Sequence, residues 1–349
     1  METGTVKKDI RKYSLDQLKA YFVEIGEKPF RAAQVYEWLW KKSASDFKTM
    51  TSISEKLRAR LSDDFSINTL QVATKQVSND GTIKSGFQLY DGNIVEGVLI
   101  PAEDRMTACV SSQVGCSLSC KFCATGYMER KRNLEPGEIY DQVVTIARQA
   151  EESFAHPLTN IVFMGMGEPL LNYTNVLAGI ERITHPEGLN ISPKRITVST
   201  AGIAKMIKKL ADDSVKFNLA LSLHAANDIK RNQIMPINES NTLKVLKEAL
   251  QYFYLKTKNK ITFEYILFYN FNDRLEDARE LYAFSRGLPV KINIIEYNPI
   301  AEASFVNTGE DRLEAFRKFL SDKKLVVNVR RSRGKDIDAA CGQLAIKEK

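Results

Sequence analysis

Three cysteines, Cys116, Cys120 and Cys123, are spaced as C-x3-C-x2-C. Thiolates this close together can hold a metal. A structural zinc ion takes four ligands, and the chain has few to offer beyond its five cysteines, with only three histidines and none of them near the triplet. A zinc site would need Cys109 as its fourth ligand. The other chemistry open to the triplet is a [4Fe–4S] cluster held by three cysteines. Such clusters ordinarily take four thiolates, so a three-cysteine site leaves one iron free to bind a small molecule. Two thiols stand outside the triplet. Cys109 precedes it, and Cys341 lies far away in the charged, glycine-containing stretch Gly334–Leu344. A cysteine beside Ala339 and Ala340 is ordinarily a small packed hydrophobe, but two non-ligand thiols near one metal centre suggest covalent chemistry. An odd number of cysteines in a long chain also argues against a secreted disulfide framework and for a reducing compartment.

Further polar residues recur where strands should end. Phe163-Met164-Gly165-Met166-Gly167-Glu168-Pro169 combines glycines, which let a ligand approach the backbone, with a carboxylate able to receive an ammonium group. Ser199-Thr200-Ala201-Gly202, Ser222-Leu223-His224 and Asn298-Pro299 follow in the same way. Each alone is an ordinary cap or turn. Together they place polar side chains at the C-terminal ends of successive strands, where (β/α) barrels build their active sites.

The elements that must position these residues can be read from periodicity. Strands are predicted at 107–111, 160–164, 195–200, 216–223, 260–268, 290–297 and 325–330, with helical patterns near 135–150, 174–184, 203–212, 240–256, 274–286 and 309–322 between them. Six βα units and a closing strand predict a parallel sheet, and the count favours a complete or partial TIM-like barrel over an open doubly wound sheet. Residues 1–65 read as a small helical domain, opened by the capping-box pattern Ser14-Leu15-Asp16-Gln17. Residues 66–101 read as a β-rich connector with turns at Asn79-Asp80-Gly81 and Asp91-Gly92-Asn93, and residues 102–349 as the core barrel with its tail. The 349-residue chain is 44% hydrophobic and 27% charged, which excludes disorder and fibrous structure. Its net charge of +7 permits a polyanionic partner. The excess is densest in residues 1–90, with 15 basic and 11 acidic side chains. No apolar run suits a membrane span, and Met1–Tyr13 has no apolar signal region; the expectation is a cytoplasmic protein with no membrane partner.

Four segments carry a family resemblance. Cys109-Val-Ser-Ser-Gln-Val-Gly-Cys116, Gly165-Met-Gly-Glu-Pro-Leu170, Ser222-Leu-His-Ala225 and Asp336-Ile-Asp-Ala-Ala-Cys-Gly-Gln343 together resemble the RlmN/Cfr family of radical S-adenosylmethionine (SAM) RNA methyltransferases. The triplet itself, with an aromatic before its third cysteine, resembles the signature of radical-SAM enzymes. The likeness spans nearly the whole chain, including Gly26–Gln34, and is nearest the RlmN branch. It implies an α/β fold with a partial (β/α)6 radical-SAM barrel, a small N-terminal helical domain and a short β extension. It implies methylation of C2 of an adenosine in 23S rRNA and in some tRNAs; the alternatives are the C8 chemistry of the Cfr branch or a different radical-SAM enzyme.

The same resemblance assigns residues. Cys116, Cys120 and Cys123 would hold the [4Fe–4S] cluster. Gly167, Glu168, Ser199, Ser222, Leu223, His224 and Asn298 would bind SAM. Two SAM molecules would serve each turnover: one methylates Cys341, and the other yields a 5′-deoxyadenosyl radical that activates the methyl for addition to the base. Cys109 would help release the product through a transient disulfide with Cys341, and Glu96 would accept the proton. The partners implied are 23S rRNA, tRNA and an electron donor such as flavodoxin, acting on a monomer. RNA would present an unstacked base, with Arg130–Arg132 and Arg330–Lys335 as candidate phosphate contacts.

Overall fold

The computed structural model describes residues 7–346; residues 1–6, part of the charged N-terminal stretch, lie outside them. A two-residue strand β1 (Lys8–Asp9) pairs in parallel with β2 (Phe65–Ser66). Between them lie α1 (Leu15–Glu24), α2 (Phe30–Trp40) and α3 (Glu55–Asp64). The expected capping box forms at α1, where Ser14 accepts from the Gln17 amide and the Gln17 side chain accepts from Ser14. This layer is packed through Trp40, which is buried edge-on against Tyr140. Arg11 reaches across to Asp141 at 2.8 Å, a pair sealed from solvent at the same junction.

Strands β3 (Gln71–Val77), β4 (Ile83–Gln88), β5 (Ile94–Ala102) and β6 (Arg105–Cys109) form an antiparallel meander. Its first two turns use Gly81 and Gly92 in left-handed conformation, as the turn chemistry requires. A short antiparallel pair, β7 (Gln113–Val114) and β8 (Arg132–Asn133), brackets the cysteine triplet. Then come α4 (Pro136–Phe154), β9 (Asn160–Phe163), α5 (Tyr173–Thr184), β10 (Ile196–Thr200), α6 (Ala204–Asp212), β11 (Asn218–Ser222), α7 (Asp228–Ile234), α8 (Leu243–Thr257), β12 (Ile261–Ile266), α9 (Leu275–Ser285), β13 (Val290–Ile295), α10 (Glu310–Asp322) and β14 (Val326–Arg330).

One ten-stranded sheet runs β14-β13-β12-β11-β10-β9-β6-β5-β4-β3. The seven strands from β6 through β14 are parallel, so the expected partial barrel is present. The meander β3–β5 continues that sheet past β6. The strands at its heart are buried on both faces, as parallel sheets are. Helix α7 has no counterpart among the elements read from the sequence. Its buried position 231 is an arginine, which breaks the apolar period that marks a helix.

Candidate active site

The C-terminal ends of the parallel strands open into a cavity of about 910 Å³, counting its mouth. Its lining unites Cys116, Cys120, Cys123, Gly167, Glu168, Ser199, Ser222, His224 and Cys341. Four further residues expected at the site stand behind this wall: Glu96, Cys109, Leu223 and Asn298 are buried without lining it.

The glycines between β9 and α5 are there because space is short. A Cβ on Gly165 would come 2.8 Å from the Val110 carbonyl oxygen, and one on Gly167, whose φ is +92°, would stand 2.5 Å from the Gln113 Cβ. The segment after β6 and the segment after β9 can therefore lie backbone to backbone. They are joined where the Ser112 amide donates to the Met166 carbonyl at 2.8 Å. Glu168 is held by the backbone: its carboxylate accepts from the Leu170 amide at 3.0 Å and the Ala201 amide at 2.7 Å. Burial nonetheless pushes its carboxyl up, against the pull of those amides.

His224 has a left-handed backbone, φ +54°, and its carbonyl accepts from Asn272 at 2.6 Å. Its Nδ1 accepts from the Ile266 amide at 3.1 Å, so the ring proton sits on Nε2. Burial, reinforced by the nearby Arg231 charge, pushes His224 down to about 3 and keeps it neutral. Its ring packs edge-on against Phe122 of the triplet loop, 4.6 Å between centroids. Ser199 and Ser222 hydroxyls are 3.3 Å apart on neighbouring strands.

The triplet thiols face this cavity in an apolar setting. Burial pushes Cys116 up to about 11 and raises Cys120 and Cys123 as well. Among the described residues, no three Cys, His, Asp or Glu side chains converge as the ligands of a single ion would. Three thiols on one cavity wall are a donor set that a [4Fe–4S] cluster can take, and Cys109 does not line that cavity.

The tail that carries Cys341 is clamped over the cavity. The Ala124 amide donates to the Gly342 carbonyl at 2.7 Å, and the Thr125 hydroxyl to the Leu344 carbonyl at 2.6 Å. From the other side, Asn298 donates to the Cys341 carbonyl at 3.1 Å, and Gln343 to the Pro299 carbonyl at 3.1 Å. The turn between β3 and β4 anchors the tail's start. Asp336 accepts from the Ser78 hydroxyl at 2.5 Å and from the Asn79 amide at 3.1 Å, and Asp80 accepts from the Gly334 amide at 2.9 Å. Cys341 is exposed to the cavity yet crowded by surrounding atoms, and burial pushes its thiol up to about 11. Cys109, at the end of β6, is pushed up to about 12 by burial and by the neighbouring Cys341. All five cysteines are free thiols.

Glu96 sits on β5 with Lys84 at 3.3 Å from Oε1, while Oε2 has no hydrogen-bond partner. Burial raises its carboxyl against the pull of Lys84. Two groups went unremarked in the sequence. Glu264, on β12, lines the cavity with Oε2 unpartnered and Oε1 accepting from Asn293 at 2.9 Å. Arg231, on α7, lies wholly buried beneath the Ala201 and Ser222–Leu223 turns. An acidic residue in a strand and a basic one in a short helix look like surface residues in sequence, so no signal marked either. The basic runs proposed as RNA contacts are partly spent within the fold. Arg132 pairs with Asp91 at 2.5 Å and Glu138 at 2.8 Å, Arg331 with Glu310 at 2.6 Å, and Lys335 with Glu296 at 2.7 Å. No described helix is long and apolar enough to cross a membrane.

Known proteins share this arrangement. Residues 8–67 match the ribosomal RNA large subunit methyltransferase N-terminal domain, and residues 110–282 the radical SAM superfamily. A probable dual-specificity RNA methyltransferase RlmN from Cytophaga hutchinsonii is 68% identical over 99% of this chain and 95% of its own length. Its Bacillus subtilis counterpart is 43% identical over 100% of this chain and 96% of its own. The crystal structure of a radical SAM methyltransferase from Sphaerobacter thermophilus, 39% identical, superposes with a TM-score of 0.91 over 97% of this chain and 99% of that one.

Proposed function

The chain belongs to the RlmN family of radical-SAM RNA methyltransferases, and from that premise we propose that it methylates C2 of an adenosine in 23S rRNA and in some tRNAs through a methylated Cys341. The observation that carries the proposal is the seating of Cys341 in the cavity that the triplet cysteines also line. Adenine C2 is an electron-poor carbon with no lone pair to attack a sulfonium methyl, so the methyl must first be loaded on a nucleophile. The Cys341 thiolate fills that role. Its sulfur attacks the methyl of one SAM, and the clamp from Ala124, Thr125, Asn298 and Gln343 holds the thioether at the cavity wall.

Cys116, Cys120 and Cys123 would hold a [4Fe–4S] cluster, which together with a second SAM would supply the one-electron chemistry that removes hydrogen from that methyl. Gly167, Glu168, Ser199, Ser222, Leu223, His224 and Asn298 are the residues we assign to SAM. Gly167 would leave room at the backbone, Glu168 would offer a carboxylate to the ammonium, and the two serine hydroxyls would serve the ribose. Leu223 and Asn298 act from behind the wall, the first through its backbone and the second by holding the tail. Glu96, with one oxygen free and its carboxyl raised, is suited to accept the C2 proton after the carbon–carbon bond forms. Cys109, next to Cys341, resolves the protein–RNA thioether and leaves a transient disulfide. A low-potential donor such as flavodoxin supplies the electron, and the enzyme acts as a cytoplasmic monomer. The helical residues 8–65 form a docking module for RNA.

Nucleoside mass spectrometry of 23S rRNA and tRNA tests the proposal, comparing cells with and without the gene. The expected result is 2-methyladenosine present only with it. 8-Methyladenosine in its place would overturn the regiochemistry, and no change in either nucleoside would overturn the activity.

A further inference from the structure

Arg231 is an expensive residue to bury. It has no exposed surface, and an unpaired charge in a protein interior carries a large desolvation cost. Its guanidinium donates to the Leu223 carbonyl at 3.1 Å, the Ala201 carbonyl at 2.5 Å, the Ser222 carbonyl at 3.2 Å and the Asn238 side-chain oxygen at 2.7 Å. Each of these acceptors is neutral. Asp228 lies one amide away, its carboxylate taking the Asn238 amide at 2.8 Å. Burial pushes the guanidinium down to about 10, held up in part by Cys120 and Asp228.

The Ala201 and Ser222 turns that this charge holds line the same cavity as the triplet cysteines. The Lys121 amide, next to Cys120, donates to the carbonyl of Ile234 at the end of α7, at 3.0 Å. The helix that carries Arg231 therefore grips the loop directly. A [4Fe–4S] cluster in its 2+ state bound by three thiolates has a net charge of −1, and one more electron makes it −2. A fixed buried cation stabilises the second state more than the first, because cluster potentials respond to nearby charge. With the cluster in place, the arginine also gains the anion that its neutral acceptors do not supply.

We propose that Arg231 is a positioning residue of the cluster site whose fixed charge favours the reduced cluster, while its hydrogen bonds tie the Ala201 and Ser222–Leu223 turns to the helix that grips the cluster loop. The step concerned is the uptake of one electron from a low-potential one-electron donor, with no bond made or broken. The inference rests on the cluster assignment above.

The test is redox potentiometry of the reconstituted full-length protein without SAM, read by electron paramagnetic resonance. Arg231→Gln should lower the cluster's midpoint potential by about a tenfold change in reduction equilibrium, equivalent to 59 mV for one electron. Arg231→Lys keeps the charge and loses the fork; its midpoint should stay near wild type although the serine turn is loosened. Should Arg231→Gln fail to hold the cluster, Asn238→Asp retains the arginine and sets a carboxylate against Nη1, and the same downward shift is expected. Equal shifts in the lysine and glutamine variants, or no shift in glutamine or in Asn238→Asp, would overturn the inference alone. A wild-type protein that takes up no redox-active cluster would overturn the cluster reading, and this inference with it.

Discussion

Gln343→Met tests whether the tail that bears Cys341 is held by its clamp. Gln343 is buried, and its side chain both donates to the Pro299 carbonyl at 3.1 Å and accepts from the Ala340 amide at 3.3 Å. Methionine keeps the length and flexibility and removes both bonds. Leaving a buried donor or acceptor unsatisfied costs about 1–3 kcal/mol each. At the lower limit of that range for each of the two groups, the closed tail should lose about 2 kcal/mol. That multiplies the population of the open tail by roughly 30. Hydrogen exchange should show the loss in the peptide spanning 336–346 and at the Ala124 amide, which is protected by the Gly342 carbonyl. Strand amides at the sheet centre should be unaffected. Unchanged protection of 336–346 would refute the reasoning. So would a uniform loss across the whole chain, because the tail would then not open as a unit of its own.

Cys116→Ala, Cys120→Ala and Cys123→Ala should each abolish reductive cleavage of SAM, assayed as 5′-deoxyadenosine after anaerobic reconstitution; a full iron content with cleavage intact would contradict the assignment. Cys109→Ala should still load methyl on Cys341 and accumulate a covalent protein–RNA adduct on denaturing gels, whereas normal turnover would make Cys109 a core residue only. Asp80 gives a pH prediction. Hydrogen bonds from Thr82, the Gly334 amide and Ser78 outweigh burial and hold its carboxyl down to about 2, below the ordinary 3.8. Its contribution is therefore complete above about pH 4 and is lost as pH falls through 2. Exchange of the tail amides around Gly334 should rise over that window in wild type, and the rise should be absent from Asp80→Asn.

The cysteine triplet was legible as one group because its members are local: C-x3-C-x2-C keeps three thiols within eight residues, and all three line one cavity. The barrel was legible because parallel strands and their helices repeat two periods that survive in any context. The residues that stayed hidden are those whose partners are distant. Arg132 reads as part of a basic run, yet Asp91 and Glu138 take up its charge, and only the fold brings Asp91 to it. Arg231 and Glu264 look like surface charges in a short helix and a strand, and both are buried. Helix α7 was missed for the same reason, since the side chain it buries deepest is an arginine.

The β extension makes sense only when the far end of the chain is considered. Residues 71–102 add three antiparallel strands beside a barrel that already has its parallel set. The turn at their tip, Ser78–Thr82, receives Asp336 and the Gly334 amide, and Lys84 on the adjoining strand donates to the Asp338 carbonyl at 3.3 Å. The same Lys84 faces Glu96 at 3.3 Å. The extension thus gives the tail a rigid dock and shares a cation between the tail backbone and the carboxylate proposed to accept the C2 proton. A flexible tail would deliver a thiol to the cavity only occasionally. A tail docked at Ser78–Thr82 and clamped at Ala124, Thr125, Asn298 and Gln343 holds it there, with the ordering cost met at folding and not at each encounter with RNA. Proximity of this kind is what a methyl carried on a protein side chain needs, because its carbon must reach one position of one base while the sulfur stays bonded to the chain.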